Sequence, residues 1–186
     1  MIRTDAPLDR VLSGRSLVWR LGAVLAGSAV LAASARAEIP MIPAPITLQT
    51  FALMVIAGLS GPRMTVGIVA LYLAEAAIGL PVLAGGAGGP AALLGPTGGY
   101  LAGFLPAGAA AALLAGRGRS VPVLAAAFVV GHLMILAFGG AWLSLFVGPR
   151  AAWVGGVAPF LIGSAIKTAM AVAVVKLVDA AAARPR

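Results

Sequence analysis

The stretch VPVLAAAFVVGHLMILAF, residues 121–138, contains no charged side chain. A run of about 18–20 apolar residues is long enough to cross the hydrocarbon core of a bilayer as one α-helix. The rest of the chain resembles this stretch, because 61% of the 186 residues are hydrophobic and only 10% are charged, against ~25% charged residues in soluble domains. The sequence therefore predicts an all-α integral membrane protein whose single domain, residues 1–186, is embedded in the bilayer.

Five further apolar runs lie on either side of this stretch. The six predicted membrane helices cover residues 21–35, 48–59, 64–78, 98–115, 121–138 and 157–178, with a short amphipathic stretch at 142–147. Between the first two, Pro40, Pro43 and Pro45 exclude a continuous helix. The second and third helices are short for a core of ~30 Å, so we expect them to be tilted or shielded by their neighbours.

The basic residues predict the orientation. Cytoplasmic segments of membrane proteins carry an excess of Lys and Arg. With the N-terminus inside, ten of the 13 basic residues are cytoplasmic, whereas Arg36 and Arg150 lie on the opposite face. We therefore expect both termini in the cytoplasm and a bacterial cytoplasmic membrane as the location. Residues 1–20 are expected to form a mobile N-terminal tail or, as an alternative, an interfacial helix. A cleaved signal peptide ending at Ala35-Arg36-Ala37 is the alternative interpretation of the first run.

Several classes of function are excluded by residues that the chain lacks. It has no cysteine and one histidine, so neither a thiolate site nor a multi-histidine metal site is expected. No Gly-Lys-Ser/Thr phosphate loop is present, and no cofactor is expected. The net charge of +8 is attributed to topology, and nucleic-acid binding is not expected.

Three ionisable residues lie inside the predicted helices: Glu75, His132 and Lys167. Each reaches a similar depth, 16–18 Å from the inner end of its helix, at about 1.5 Å per residue. Charges at such depth are costly and usually face a cavity or a partner. Lys167 could pair with Glu75 merely to hold helices together, and His132 could be a neutral ring bonded to a carbonyl. For Lys167 we favour a functional role.

Residues 84–99 form a glycine-rich segment within the uncharged run 80–100. A flexible external loop is one interpretation. However, irregular backbone near membrane depth is tolerated where it lines a cavity, and this run is too apolar for an ordinary solvated loop. We therefore expect a re-entrant lid between the third and fourth helices.

Small residues recur four positions apart in the first helix. The pairs include Ala23 with Gly27 and Ala29 with Ala33. Such spacing allows a second helix to approach closely, although chance matches are frequent in an alanine-rich chain.

Four strings together resemble the BioY family, the biotin-binding S components of energy-coupling-factor transporters. The strings are ITLQTFA at 46–52, GPR at 61–63, AIGLPV at 77–82 and GPTGGY at 95–100, in the order and spacing of the family. The resemblance implies a six-helix protein that captures biotin from outside in an outward-facing pocket. It also implies association with a transmembrane coupling subunit and two cytoplasmic ATPases, with docking through Ala23, Gly27, Ala29 and Ala33.

The family's last helix carries an Asp-x-x-Lys pattern, whereas this chain has Ser164 followed by Lys167. The resemblance implies that Lys167 binds the ureido carbonyl or the carboxylate of biotin, and that Ser164 accepts a ureido N–H. Glu75 is the hypothetical counter-ion of Lys167 in place of the missing acid. The further expected ligand contacts are Gln49, Gly85, Gly86, Gly98, Gly99 and Tyr100.

Two other classes of function are less compatible with the sequence. A proton-coupled secondary transporter would use Glu75, His132 and Lys167 as a relay, but no inverted repeat is detectable. An intramembrane enzyme is not expected, because Glu75 is the only acid within the predicted membrane helices and no nucleophile–base pair accompanies it.

Overall fold

The protein was analysed as a computed structural model that describes residues 6–183. Within that range the chain forms nine α-helices, one 3₁₀ turn, one π-helical turn and a minimal two-stranded ladder. The helices are α1 Pro7–Leu12, α2 Leu17–Ala35, α3 Gln49–Leu59, α4 Pro62–Ala77, α5 Pro90–Leu94, α6 Gly98–Ala115, α7 Val121–Val147, α8 Pro149–Ala152 and α9 Ala158–Ala182. The 3₁₀ turn covers Ala84–Gly86, the π-helical turn Trp153–Val157, and the strands are β1 Glu38–Ile39 and β2 Ile46–Thr47.

Four helical segments in the described part of the chain are long and apolar enough to cross a membrane. They are α2, α6, α7 and the continuous helical segment Pro149–Ala182. The predicted all-helical membrane class agrees with this observation. Helix α3 is apolar but shorter, and α4 has 16 residues, so the predicted number of six spans stays a prediction.

Helix α6 lies at the centre of the bundle, where it packs against α3, α4 and α7. Its sequence explains this position, because glycine and alanine on several faces let neighbouring helices approach closely. Gly108, for example, leaves no spare room beside Leu53 of α3 and Thr65 of α4. The large side chains that fill the core come mainly from the neighbours, among them Tyr72 and Phe128.

The structure corrects the boundaries of the last two predicted helices. The fifth was expected to end near residue 138, but α7 continues to Val147 and includes the separate amphipathic stretch. Packing explains the continuity, because the Tyr100 ring lies directly against Gly139. The sixth begins at Ala158, after the short α8 and the π-helical turn, and extends to Ala182.

The N-terminal region is more ordered than the mobile tail that was expected. Residues 7–12 form α1, which packs against α3 and α9 and buries Leu12. The Asp9 carboxylate accepts a hydrogen bond of 3.1 Å from the backbone N–H of Gly61. The segment is therefore attached to the bundle. Residues 1–5 of the expected tail lie outside the described residues.

In the structure the glycine-rich segment extends over residues 80–97, between α4 and α6, and contains only the 3₁₀ turn and α5. Three side chains from the rest of the protein donate hydrogen bonds to its backbone carbonyls. The pairs are Arg36 to Pro81 at 2.6 Å, Tyr72 to Val82 at 3.1 Å and Trp142 to Gly95 at 2.9 Å. The segment is thereby fastened to α4, α7 and the residue that follows α2.

Candidate ligand-binding site

A cavity of about 340 Å³ lies between α3, α6, α7, α9 and the glycine-rich segment. Its size is at the lower end of the ~300–1,000 Å³ typical of small-molecule sites. Most of the wall is apolar, with a small number of polar groups that could orient a ligand. The polar lining residues are Thr47, Gln49, Thr50, Thr97, Tyr100, His132, Ser164 and Lys167.

Lys167 on α9 provides the positive charge of the cavity. The side chain is only 9% exposed, and its ammonium donates to the Thr47 carbonyl oxygen at 2.6 Å and to the Thr50 hydroxyl at 3.3 Å. An ammonium has three N–H donors, so one remains for a ligand. No carboxylate among residues 6–183 forms an ion pair with Lys167. A buried cation without an anionic partner favours a ligand that carries an acceptor oxygen.

Ser164 lies one turn before Lys167 and also lines the cavity. Residues three apart share a helix face, so the predicted pair does point into the same space. Within residues 6–183 the Ser164 hydroxyl forms no hydrogen bond. It is therefore free to donate to or accept from a ligand.

Gln49 begins α3 and lines the cavity, as predicted. Its side-chain amide is already engaged, because Nε2 donates to the Tyr72 hydroxyl and Oε1 accepts from the Thr47 hydroxyl at 3.0 Å. Tyr72 in turn donates to the carbonyl of Val82. Gln49 thus connects the cavity wall to the glycine-rich segment through Tyr72.

Tyr100 contributes an aromatic face to the cavity together with Phe160. The two rings are stacked, with centroids 6.1 Å apart and planes inclined by 28°. The Tyr100 hydroxyl donates to the Gly156 carbonyl at 2.7 Å. Because this bond fixes the ring, Tyr100 offers a ligand a rigid apolar surface rather than a free hydroxyl.

The four predicted glycines do not line the cavity. Gly98 and Gly99 are buried where α6 packs tightly, and a Cβ on Gly99 would overlap with Trp142. Gly85 and Gly86 adopt φ values of 64° and 74°, the left-handed region that glycine enters most readily. Their role in this arrangement is to shape the backbone, while the adjacent Ala84 and Ala87 line the cavity.

The predicted ion pair between Glu75 and Lys167 is not formed, which is a correction. The Glu75 carboxylate accepts a hydrogen bond from Ser28 where α4 packs against α2, and Glu75 does not line the cavity. Similar depth in two helices does not determine which way each side chain points. The proposed relay through Glu75, His132 and Lys167 is likewise unsupported, because Glu75 lies apart from the cavity wall that contains the other two.

Sequence reasoning missed several residues of the site. Thr47 and Thr50 hold the Lys167 ammonium, and Phe160 completes the aromatic wall. His132 was expected to be a neutral ring bonded to a carbonyl. Its Nδ1 does lie 2.9 Å from the Phe128 carbonyl oxygen, yet the ring also lines the cavity. A polar residue within a run of otherwise apolar residues was the only available signal for it.

The predicted docking residues on α2 divide between the two faces of the helix. A Cβ on Gly27 would lie 2.6 Å from Cδ1 of Ile68, so this glycine serves the contact with α4. Ala29 and Ala33 are exposed, and Ala23 is half-buried. Only the exposed pair is open to another protein.

Comparison with known proteins identifies the family. A family profile described as "BioY family" matches residues 9–184. The chain belongs to the BioY family. Among the curated relatives, the "Probable biotin transporter BioY" of Pyrococcus horikoshii is 38% identical over 145 residues, covering 77% of this chain and 86% of that protein. The "Biotin transporter BioY" of Thermotoga maritima is 37% identical, with the same coverage of both chains.

A solved structure has the same fold as this chain. It is titled "Crystal structure at 2.1 A of the S-component for biotin from an ECF-type ABC transporter". The TM-score is 0.79 at 28% identity, over 87% of this chain and 91% of the other. The identification drawn from four short strings of the sequence is confirmed.

Proposed function

We propose that this protein is the biotin-binding S component of an energy-coupling-factor transporter and that it binds biotin in the cavity next to Lys167. Membership of the BioY family supports the assignment, as do the names of its relatives. The single observation that carries it is the buried Lys167 ammonium, which lines the cavity without an anionic partner among residues 6–183. Binding and transport, rather than catalysis, is the activity.

The cavity matches the chemistry of biotin. The vitamin combines a polar cyclic urea with a thioether ring and an alkyl chain that ends in a carboxylate. Lys167 and Ser164 offer a cation and a hydroxyl at one place on α9, and Tyr100 and Phe160 offer a flat apolar surface. Ligand pockets generally combine such an apolar wall with a few polar groups that set the orientation.

The finer membrane arrangement is part of this proposal. Helices α2, α3, α4, α6, α7 and α9 are the six spans, both termini are cytoplasmic, and the membrane is the bacterial cytoplasmic membrane. The cavity faces outward, and the glycine-rich segment is a re-entrant lid over it. The excess of basic residues at the opposite end of the helices supports this orientation.

The partners are a transmembrane coupling subunit and two cytoplasmic ATPases, which supply energy that this chain has no phosphate loop to provide. Helix α2 is the candidate docking element. Its apolar residues Leu25 and Val30 are exposed, and Ala29 and Ala33 lie on the same exposed side. Small residues there would allow a partner helix to approach closely.

The test is equilibrium binding of biotin to the full chain purified in detergent, with Lys167→Ala alongside. We expect tight binding by the native chain and a loss of about 10- to 150-fold in the variant, because hydrogen bonds to a charged group contribute about 1.5–3 kcal/mol. Lys176→Ala is the matched control, since that lysine binds the Arg119 carbonyl at 3.1 Å and does not line the cavity.

Two outcomes would contradict the proposal in different ways. No binding by a folded native chain would refute the assignment of biotin as the ligand. Equal affinity in the native chain and Lys167→Ala would refute the site while leaving the ligand in place.

A further inference from the structure

His132 is buried in the wall of the cavity with one of its two ring nitrogens unused. The residue is 2% exposed and lines the cavity. Nδ1 lies 2.9 Å from the Phe128 carbonyl oxygen and 3.1 Å from the Thr168 hydroxyl oxygen. Nε2 is the one buried side-chain nitrogen or oxygen of the described residues that has no hydrogen-bond partner.

The surroundings of Nδ1 determine the tautomer. A carbonyl oxygen can only accept, so Nδ1 must carry the proton that points to Phe128. In the neutral ring Nε2 is then an acceptor with a free lone pair. A second proton on Nε2 would create another cation in the wall that already contains Lys167, and no acceptor among residues 6–183 would receive it. The ring therefore presents a bare acceptor.

The hydrogen bond from Nδ1 to the Phe128 carbonyl oxygen accounts for the orientation of the ring, but it does not account for the unused Nε2. Buried polar atoms without a partner are rare in native proteins, because they lose hydration without gaining a replacement bond. The same ring lines a cavity that is large enough for a small molecule. A donor on the ligand would satisfy Nε2 when the cavity is filled.

The neighbours of His132 indicate which donor fits. Thr168, which touches Nδ1, directly follows Lys167 on α9, and it lies four residues after Ser164 on the same helix face. The residues that carry an acceptor nitrogen, a free ammonium N–H and a free hydroxyl thus line the same cavity. A cyclic urea presents the complementary set, a carbonyl acceptor flanked by two N–H donors.

We propose that His132 is a ligand-binding residue whose Nε2 accepts a hydrogen bond from one ureido N–H of biotin. The inference rests on the proposed function, and it adds a specificity-determining contact from α7 to the site on α9. A ligand that lacks this N–H leaves Nε2 without a partner and is rejected, because a site built to receive a donor discriminates strongly against analogues without it.

The first test uses the native chain with ¹⁵N-labelled histidine in detergent. His132 is the only histidine in the sequence, so the imidazole nitrogens give one pair of signals. On saturation with biotin we expect the Nε2 resonance to move upfield, as it does when an acceptor nitrogen gains a hydrogen bond, while Nδ1 stays protonated. An Nε2 resonance that is unchanged in the biotin-saturated protein would overturn the proposal.

The second test compares biotin with two cyclic carbamate analogues, each with one ureido N–H replaced by oxygen. On the native chain we expect one isomer to bind about 10- to 100-fold more weakly than the other. The difference should disappear in His132→Phe, which keeps an aromatic ring without an acceptor. Thr168→Val, which retains Nε2, is the matched control and should preserve the difference.

The outcomes separate this proposal from the function on which it rests. If the native chain does not bind biotin, the proposed function fails. If it binds biotin and the ratio between the two carbamates is the same in His132→Phe as in the native chain, the role of His132 alone is refuted. Should His132→Phe not fold, the nuclear magnetic resonance measurement on the native chain decides.

Discussion

The two ends of the helical bundle differ in how completely their polar groups are paired. At the end near Arg119, the guanidinium donates to both Asp179 oxygens at 2.6 and 3.1 Å and to the Gly58 carbonyl at 2.6 Å. Lys176 donates to the Arg119 carbonyl. At the cavity end, in contrast, Ser164 has no partner among the described residues, and the Nε2 atom of His132 has none either.

Because of this difference, we expect substitutions of the paired groups to change the stability of the fold and substitutions of the unpaired groups to change ligand binding. Paired polar groups hold α3, α9 and the loop before α7 together, so their removal should destabilise the fold without affecting a ligand. Unpaired groups contribute little to the ligand-free fold, and a buried one is costly until it is satisfied. Sites that violate the rule of satisfied polar groups are commonly functional. On the proposed function, the cavity end serves binding and the Arg119 end serves stability.

The largest expected effect comes from the close contact between α6 and α7. Gly99→Ala should lower the free energy of unfolding by about 3 kcal/mol, because the added methyl overlaps with Trp142 and with the backbone of Phe138. Thermal unfolding in detergent measures the change, and biotin affinity should fall with it. Gly163→Ala on α9 is the control, since a Cβ there meets no atom within 4 Å. Equal stability of Gly99→Ala and Gly163→Ala would contradict this prediction, because it would mean that α6 and α7 can move apart without a loss of stability.

The second prediction tests the Arg119 end, where the polar groups are paired. Arg119→Ala should lower the free energy of unfolding by about 2 kcal/mol, because it leaves Asp179 and the Gly58 carbonyl without their donor. Biotin affinity of the folded fraction should be unchanged. Arg117→Ala removes an exposed arginine two residues earlier and should leave stability close to that of the native chain. A loss of biotin affinity in Arg119→Ala would contradict the separation of the two ends.

The smallest expected effects come from two serines, one at each end of the bundle. Ser60→Ala should destabilise the protein by about 1 kcal/mol without a change in biotin affinity, because its hydroxyl binds the Ile56 carbonyl and lies 3.0 Å from the Thr65 hydroxyl. Ser164→Ala should leave unfolding unchanged and weaken biotin binding about 3- to 10-fold. Calorimetric unfolding and equilibrium binding on both variants give the comparison, and the opposite pattern would refute it.

The sequence predicted those parts of the fold that local composition controls. Helix α6 has the predicted bounds because Gly-Arg-Gly follows it and Gly95-Pro96 precedes it. Helix α7 was predicted too short, since Gly139 and Gly140 resemble a break until the ring of Tyr100 is placed against Gly139. A helix within residues 1–20 was an alternative whose bounds the sequence could not give, because six residues show no useful periodicity and the stability of α1 comes from packing against α3 and α9.

The candidate site was predictable to the extent that charge in an apolar helix reveals it. Lys167 was found in that way, whereas Ser164 was found only through the family's Asp-x-x-Lys pattern, and both line the cavity. The Thr47 carbonyl could not be found, because a backbone acceptor leaves no trace in the residue type. The pairing of Glu75 was wrong because distance along a helix fixes depth but not the direction around the helix axis.

The fastening of the glycine-rich segment has a consequence for variation in this part of the protein. Each of its three side-chain anchors, to Arg36, Tyr72 and Trp142, ends on a main-chain oxygen of the segment. Main-chain oxygens are the same whatever side chain is attached, so the attachment does not depend on the identity of the residues it holds. Ala84 and Ala87 touch the cavity from this segment. If biotin binds there as proposed, substitutions at these two positions should change ligand preference while the anchors stay in place.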